Sequence, residues 1–327
     1  MLRILAYHRV AELRDTPAVD SRSVSATPEG FARQMEHLAR FYQVVSMPEV
    51  LKAVEKKTPL PKRAVLITFD DAYADFMEIA WPILKQLRLP ATMFVPTAYV
   101  DHPERAFWTD ALYQAFAAAT RTDINVSPFG RRLALLPLDQ KRRTLRAMQD
   151  HVTTIPHCQA QRLVDLVFSE LAVSPVQGGS VLSWDQLRQL AREGLTLGSH
   201  TRSHAIMTKI TPEQMREEVR GSQEDLKREI GACLPIFCYP NGNHNDAAVA
   251  VLREQRIRLA FTTLSGPNNV DSWDPLRLHR TVIMPRTTPA IFCLRLLRLG
   301  MRLDAWRDRK QMGILTRGLP EYRTDHV

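Results

Sequence analysis

Short apolar runs recur along the chain at residues 2–6, 64–69, 91–97, 195–199, 236–240 and 259–263, and longer stretches with helical spacing separate them. Runs of this length, nearly free of polar alternation, suit strands buried on both faces, and their alternation with helices predicts a parallel α/β barrel or sheet. The helices carry their own boundary signals. Thr211, Pro212 and Glu213 supply a cap, a first-turn proline and an acidic first turn, and that helix can run to Gly231. Ser183 opens another, which Gly194 ends. Residues 101–180 break the rhythm, with helical patterns, Arg-rich faces and no clear strand before the turn Gln177-Gly178-Gly179-Ser180. The expected organisation is a barrel in two parts, 1–100 and 181–289, with a mostly helical insertion on its rim at 101–180. Residues 290–327 then form a basic amphipathic helix, 290–303, and a polar, poorly ordered tail, 304–327. A chain of 327 residues, 45% of them hydrophobic, is long enough for one large domain with such additions, or for two.

Two of the apolar runs end in candidate chemistry. Residues 64–69 lead into Asp70-Asp71, and residues 195–199 lead into His200, with His204 four positions on. Strand C-terminal ends gather ligands and catalytic groups in α/β folds, so both motifs are expected to open onto one face. An Asp-Asp pair alone is commonly a turn or a helix cap, and a His pair at this spacing alone is commonly a surface feature. Together they offer more. One Asp and two His can hold a divalent ion and leave a position open for water, while the remaining Asp accepts that water's proton.

With these motifs, and with Ile4-Leu5-Ala6-Tyr7-His8-Arg9-Val10 at its start, the chain resembles the polysaccharide deacetylases of the NodB homology type, from residue 4 to about 285. The resemblance implies a distorted (β/α) barrel and a metal-dependent hydrolase that removes N-acetyl groups from hexosamine units of a bacterial polysaccharide or lipid-linked glycan precursor. It implies Asp70 as the base and Asp71, His200 and His204 as ligands of zinc, with cobalt as the second choice of metal. Ile236-Phe237-Cys238-Tyr239-Pro240-Asn241-Gly242 looks like the family's third motif. The Tyr239 amide would then face the oxyanion, and Pro240 and Asn241 would line the substrate groove. Many members carry an Arg shortly before that aromatic residue to hold the catalytic Asp, and residues 233–236 have none, so Arg277 or Arg280 is expected to replace it. Leu276-Arg277-Leu278-His279 fits the family's LxxH pattern, which implies His279 as the general acid and leaves open whether His279 or Arg280 faces the site. His8 is expected as pocket lining, and Phe107-Trp108 as a sugar-stacking platform. Related folds hydrolyse formamides, O-acetyl esters or cyclic ureides, and a non-catalytic glycan-binding member is the remaining alternative.

Charge adds a question of partners. The net charge of +9 and isoelectric point near 9.6 favour polyanions. No recognition motif accompanies the charge, so nucleic acid is not expected. Residues 290–303, apolar with interleaved arginines, are too short to span a bilayer. A helix on a membrane surface and a last barrel helix with snorkelling arginines both account for them. Residues 1–10 read as a strand without the apolar core of an export signal, and Cys158, Cys233, Cys238 and Cys293 have neither knuckle nor CxxC spacing. These features suggest a cytoplasmic enzyme, peripheral on the inner face of the membrane if the helix docks there. The oligomeric state is left open.

Overall fold

The computed structural model describes residues 1–14, 19–126, 129, 132–174, 181–269 and 274–317. Among these, seven parallel strands form the path of the central sheet: β1 Arg3–Tyr7, β2 Ala64–Asp70, β3 Thr92–Val95, β4 Thr196–Ser199, β5 Ile236–Cys238, β6 Leu259–Phe261 and β7 Thr281–Val282. From β1 to β6 each pairs with the next in chain order, and β7 pairs with β1, where Leu5 lies opposite Thr281. The two-residue strand Gln43–Val44 joins beside the start of β2. Leu278 forms a parallel bridge to Phe261, so the segment entering β7 also touches β6 and brings the ring round on itself. The result is the distorted (β/α) barrel that the family resemblance implies, and one of the two arrangements, barrel or sheet, that the alternation of runs allows.

Strand alternation divides the apolar side chains between two layers. Leu66, Phe94, Ile236, Phe261 and Leu278 form one cluster, while Val65, Ile67, Met93 and Leu197 join Phe31, Leu38, Leu187 and Leu226 from surrounding helices in another. All seven residues of β2 are buried, as its unbroken apolar run requires of a strand covered on both faces. The helix Pro212–Ile230 has its capping box between Thr211 and Gln214, and Gly231 ends it at φ 83°. Trp184–Arg192 repeats the box with Ser183 and Gln186.

Residues 101–180 are not free of strands. Asp123–Asn125 and Arg132–Ala134 pair as a short antiparallel hairpin between the helices Trp108–Ala118, Leu138–Val152 and His157–Leu171. Strands of three residues are too short to leave a run that can be detected. Leu112, Phe116, Leu145, Met148, Val167 and Leu171 give this region a core of its own. The turn Gln177-Gly178-Gly179-Ser180 lies outside the described residues.

The C-terminal region also differs from expectation. Residues 290–303 are not one helix: Pro289–Leu296 ends at Leu297, whose backbone is extended, and Arg298–Arg317 starts anew. The joint needs Gly300, because a Cβ there would collide with the Leu294 carbonyl oxygen. The tail is helical as far as Arg317. Residues 318–327 lie outside the described residues.

Gly198 in β4 is similarly constrained, two positions before His200: a Cβ would lie 2.7 Å from Ile236 Cδ1 and 2.9 Å from Phe94 Cδ1. Gly198→Ala is therefore expected to lower stability by about 1–3 kcal/mol through overpacking. Urea unfolding checks this as a lower midpoint with an unchanged slope.

Candidate active site

Asp70 is the last residue of β2, and its parity with Leu66 turns it toward the interior layer. There it meets Arg280. The guanidinium donates to both carboxylate oxygens, at 2.7 and 2.6 Å, and uses its Nε on the Thr262 carbonyl at 2.8 Å. Both side chains are buried, so this is a bidentate pair in a low-dielectric setting. Burial pushes the Asp70 carboxyl up, but Arg280 outweighs it and holds the group below its ordinary value. Cys238 Sγ lies 3.1 Å from the guanidinium and 3.6 Å from Asp70.

Asp71 follows at φ 73°, in the left-handed region, which turns its side chain away from Asp70. Asp71 Oδ1 lies 3.4 Å from His200 Nε2 and 3.3 Å from His204 Nε2. Thr201 and His204, on the loop after β4, also have positive φ, at 63° and 53°. Non-glycine residues in this region cost energy and cluster at functional sites. His200 Nδ1 lies 2.8 Å from the Cys238 carbonyl oxygen, which can only accept, so the neutral ring carries its proton there and presents a lone pair at Nε2. Burial raises the Asp71 carboxyl, yet His204 and His200 hold it well below the usual carboxylate range. Burial disfavours a charged His200, yet Cys238 and Asp71 raise its pKa well above the ordinary imidazole value. The trio therefore favours positive charge at its centre.

A divalent ion fits that centre. Tetrahedral ligation at about 2.0–2.1 Å requires donors about 3.3–3.4 Å apart, which is the spacing of Asp71 Oδ1 from both Nε2 atoms. Asp71 Oδ1 is also a buried acceptor without a hydrogen-bond partner, as a ligand atom would be. Asp70, His200 and Cys238 form a second cluster of donor atoms, but the Arg280 guanidinium already supplies its positive charge.

The two motifs open into a cavity of about 400 Å³. Asp70, Asp71, His200, His204, Asn241 and Trp108 line it, as does His8, whose Nε2 lies 3.9 Å from Asp70 Oδ2. Trp108 is a buried part of the wall and belongs to the core of residues 108–171, so its faces are not an open platform. Three further expectations need correction. The Tyr239 amide donates to the Phe261 carbonyl at 3.0 Å, which commits it to the pairing of β5 with β6, so it does not face an oxyanion. Pro240 is buried and does not line the cavity. His279 does not line it either; its ring lies against Gly266, where a Cβ would collide with Nδ1. Strand parity sends Arg280 inward and His279 away, and it is Arg280, not Arg277, that reaches Asp70.

Several lining residues carry no sequence signal. Arg22 lies in the short 3-10 helix Ser21–Ser23, which Asp20 caps, and Gln149, Asp150 and Thr153 come from the end of the helix Leu138–Val152. Tyr73 lies behind Asp71, with its hydroxyl donating to Asp110 Oδ2 at 3.0 Å and the Arg9 guanidinium 4.1 Å above its ring. Its place two residues after Asp71 is the available clue.

Residues 57–260 match the family model described as polysaccharide deacetylase. A Bacillus subtilis (strain 168) protein whose name places it in the same family is 21% identical over 293 residues, which is 89% of this chain and 74% of that protein. A poly-β-1,6-N-acetyl-D-glucosamine N-deacetylase of Escherichia coli (strain K12) is 32% identical over 100 residues, 30% of this chain and 14% of that one. A Streptococcus pyogenes deacetylase solved in complex with acetate is similar in fold, with a TM-score of 0.62 at 18% identity, covering 90% of this chain and 98% of that one. His8 and Arg280, which both approach Asp70, lie outside the matched residues.

Asp110 carries a pH prediction. Burial raises its pKa from 3.8 to about 6, against Arg9 and the Tyr73 hydroxyl and with Asp71 and Asp20 adding to the rise. The folded state therefore binds a proton that the unfolded state releases, and the stability from this group falls as pH rises from about 4 through about 6. Asp110→Asn keeps an acceptor for Tyr73 and should stabilise the metal-free protein by about 3 kcal/mol at neutral pH. Urea unfolding of both proteins should show that difference closing as the pH falls below the ordinary carboxylate value.

Proposed function

The chain belongs to the polysaccharide deacetylase family and is a hydrolase, and from that premise we propose that it removes N-acetyl groups from hexosamine units of a bacterial polysaccharide or lipid-linked glycan precursor. The observation that carries the reading is the spacing of Asp71, His200 and His204 around one point, beside a carboxylate that Arg280 keeps ionised. The partial likeness to named poly-β-1,6-N-acetyl-D-glucosamine deacetylases supports an acetamidosugar as the substrate class.

Asp71, His200 and His204 would hold the divalent ion, with zinc the first choice for two nitrogens and one oxygen and cobalt the second. A bound ion of this kind polarises an amide carbonyl and lowers the pKa of water from about 15.7 toward about 7. Asp70 accepts the proton that water gives up as it adds to the carbonyl carbon. Its pKa, depressed by Arg280, makes it a modest base, which suits water that is already acidified. Arg280 acts by positioning: two hydrogen bonds fix the carboxylate plane and keep it from the trio of Asp71, His200 and His204. His8 takes the role first expected of His279. It lines the cavity on the Asp70 side and is partly exposed, and its Nε2, 3.9 Å from Asp70 Oδ2, is placed to pass a proton to the departing amine. Water and amide thus become acetate and a free amine, with the proton passing to nitrogen. Phe107 and Trp108 give the pocket an apolar wall that keeps bulk water away.

The test is acetate release from N-acetylated oligosaccharides and lipid-linked sugars by chelator-stripped protein, with and without added zinc or cobalt. Metal-dependent release is expected; no release from any substrate, with one ion bound per chain, would redirect the assignment to another amide or ester. Asp71→Ala should lose ion and activity together. Asp70→Asn should keep the ion and lose turnover, whereas loss of the ion would mean the two aspartates are reversed. His8→Gln should keep the ion and lower kcat by about 10²–10⁴-fold.

A further inference from the structure

Over its described side chains, 298–308 and 310, the helix Arg298–Arg317 turns its charged and apolar faces the wrong way for a surface helix. Its inward side carries Met301, Asp304 and Asp308: Met301 is buried, Asp304 accepts from Arg295 Nε at 2.6 Å, and Asp308 accepts from the Ser265 amide at 2.8 Å. Leu299, Leu303 and Trp306, spaced as i, i+4 and i+7, occupy the opposite side and are 65%, 44% and 55% exposed. The helix before it behaves alike. Phe292 and Leu296 face the body while Ile291 and Leu294 face outward, and Leu297 at the joint is exposed as well. Among the described side chains the outward face is therefore apolar from Ile291 to Trp306, a continuous run and not single scattered leucines.

Charge identifies what covers it. Among the described residues from 284 to 310, every exposed charged side chain is cationic: Arg286, Arg298, Arg302, Arg307 and Lys310. At 100° per residue, Arg302 and Arg307 fall on opposite flanks of the Leu299, Leu303 and Trp306 stripe. The two acids of the segment point inward and are engaged. A second copy of the chain would bring the same cations against themselves, as an isologous contact requires. An apolar stripe edged by arginine and lysine suits a negatively charged interface with an acyl layer beneath it. We propose that the outward face of the two C-terminal helices seats this protein on an anionic lipid surface, with Leu299, Leu303 and Trp306 entering the acyl boundary and Arg302 and Arg307 meeting the headgroups. Among the described residues no helix is long and apolar enough to cross a membrane, so the contact is peripheral. Met284, exposed and five residues before Pro289, also lines the cavity, so docking holds the cavity mouth near that surface.

The test is sedimentation of the full chain with vesicles of phosphatidylcholine alone and with vesicles that also contain phosphatidylglycerol. Binding to the second, weakened by salt, is expected. Leu303→Gln with Trp306→Gln should abolish it, and Arg302→Gln with Arg307→Gln should weaken it roughly 30-fold while leaving weak salt-independent binding unchanged. Far-UV circular dichroism and zinc binding of both variants should match the parent, since these side chains are exposed and Asp304, 3.9 Å from Arg307, keeps its closer partner Arg295. No binding to anionic vesicles, or binding that survives Leu303→Gln with Trp306→Gln, overturns the proposal. So does a soluble dimer that the same apolar variant splits, which would assign the face to a second copy.

Discussion

Two carboxylates adjacent in sequence and both buried cannot remain ionised unless each finds its own positive charge, and the architecture around Asp70 and Asp71 is organised by that requirement. A strand of normal pleat would already send neighbours to opposite sides. Here the left-handed backbone at Asp71 adds a turn, so that Asp70 faces Arg280 and Asp71 faces the histidines. The separation also divides the chemistry. A carboxylate locked in a bidentate pair with arginine is withheld from the two imidazoles, and one facing both imidazoles is withheld from the arginine, as the roles proposed for Asp70 and Asp71 require.

The barrel carries the cost of this arrangement. Unusual backbone at Asp71, Ala72, Thr201 and His204 persists because rigid strands on either side leave the loops no alternative. Gly198 lets β4 lie close to Phe94 and Ile236, which sets the height from which the His200 loop departs. Cys238 joins the two halves of the site, since its carbonyl orients His200 while its thiol sits against Arg280. No local pattern around residue 238 announces that double duty, because both partners arrive through the barrel from other strands.

The same reasoning separates what is legible in the sequence from what is not. Apolar runs and caps are local, so the strands ending in Asp70 and Ser199 and the helix from Pro212 can be read from their own residues. The Asp-Asp and His pairs are legible for the same reason. Which of His279 and Arg280 points inward depends on the register of β7 against β1, and that is decided by Thr281 meeting Leu5 from the far end of the chain. The Tyr239 amide escapes a sequence reading likewise: its partner is a carbonyl on the neighbouring strand, and pairing across a sheet is invisible in the strand's own residues. The C-terminal helices hide a different problem. Their alternation of leucine and arginine fits one helix or two, and only the contact of Gly300 with the Leu294 carbonyl decides it.

Ring closure then explains why the site draws on both ends of the chain. The residues that match the family model begin shortly before β2 and end within β6, and they contain the carboxylate pair and both histidines. They do not contain His8, which follows β1, or Arg280, which precedes β7. Those two strands are neighbours because β7 returns from the far end of the chain to pair in parallel with β1, while its entering segment bridges to β6. An open sheet ending at β6 would present Asp70 with no guanidinium, and burial would then push its pKa up against only the lesser pull of His200 and His8, toward the protonated acid, which cannot accept a proton. Closing the barrel is thus also the step that sets the protonation state of Asp70, and the fold and the chemistry at this site share one cause.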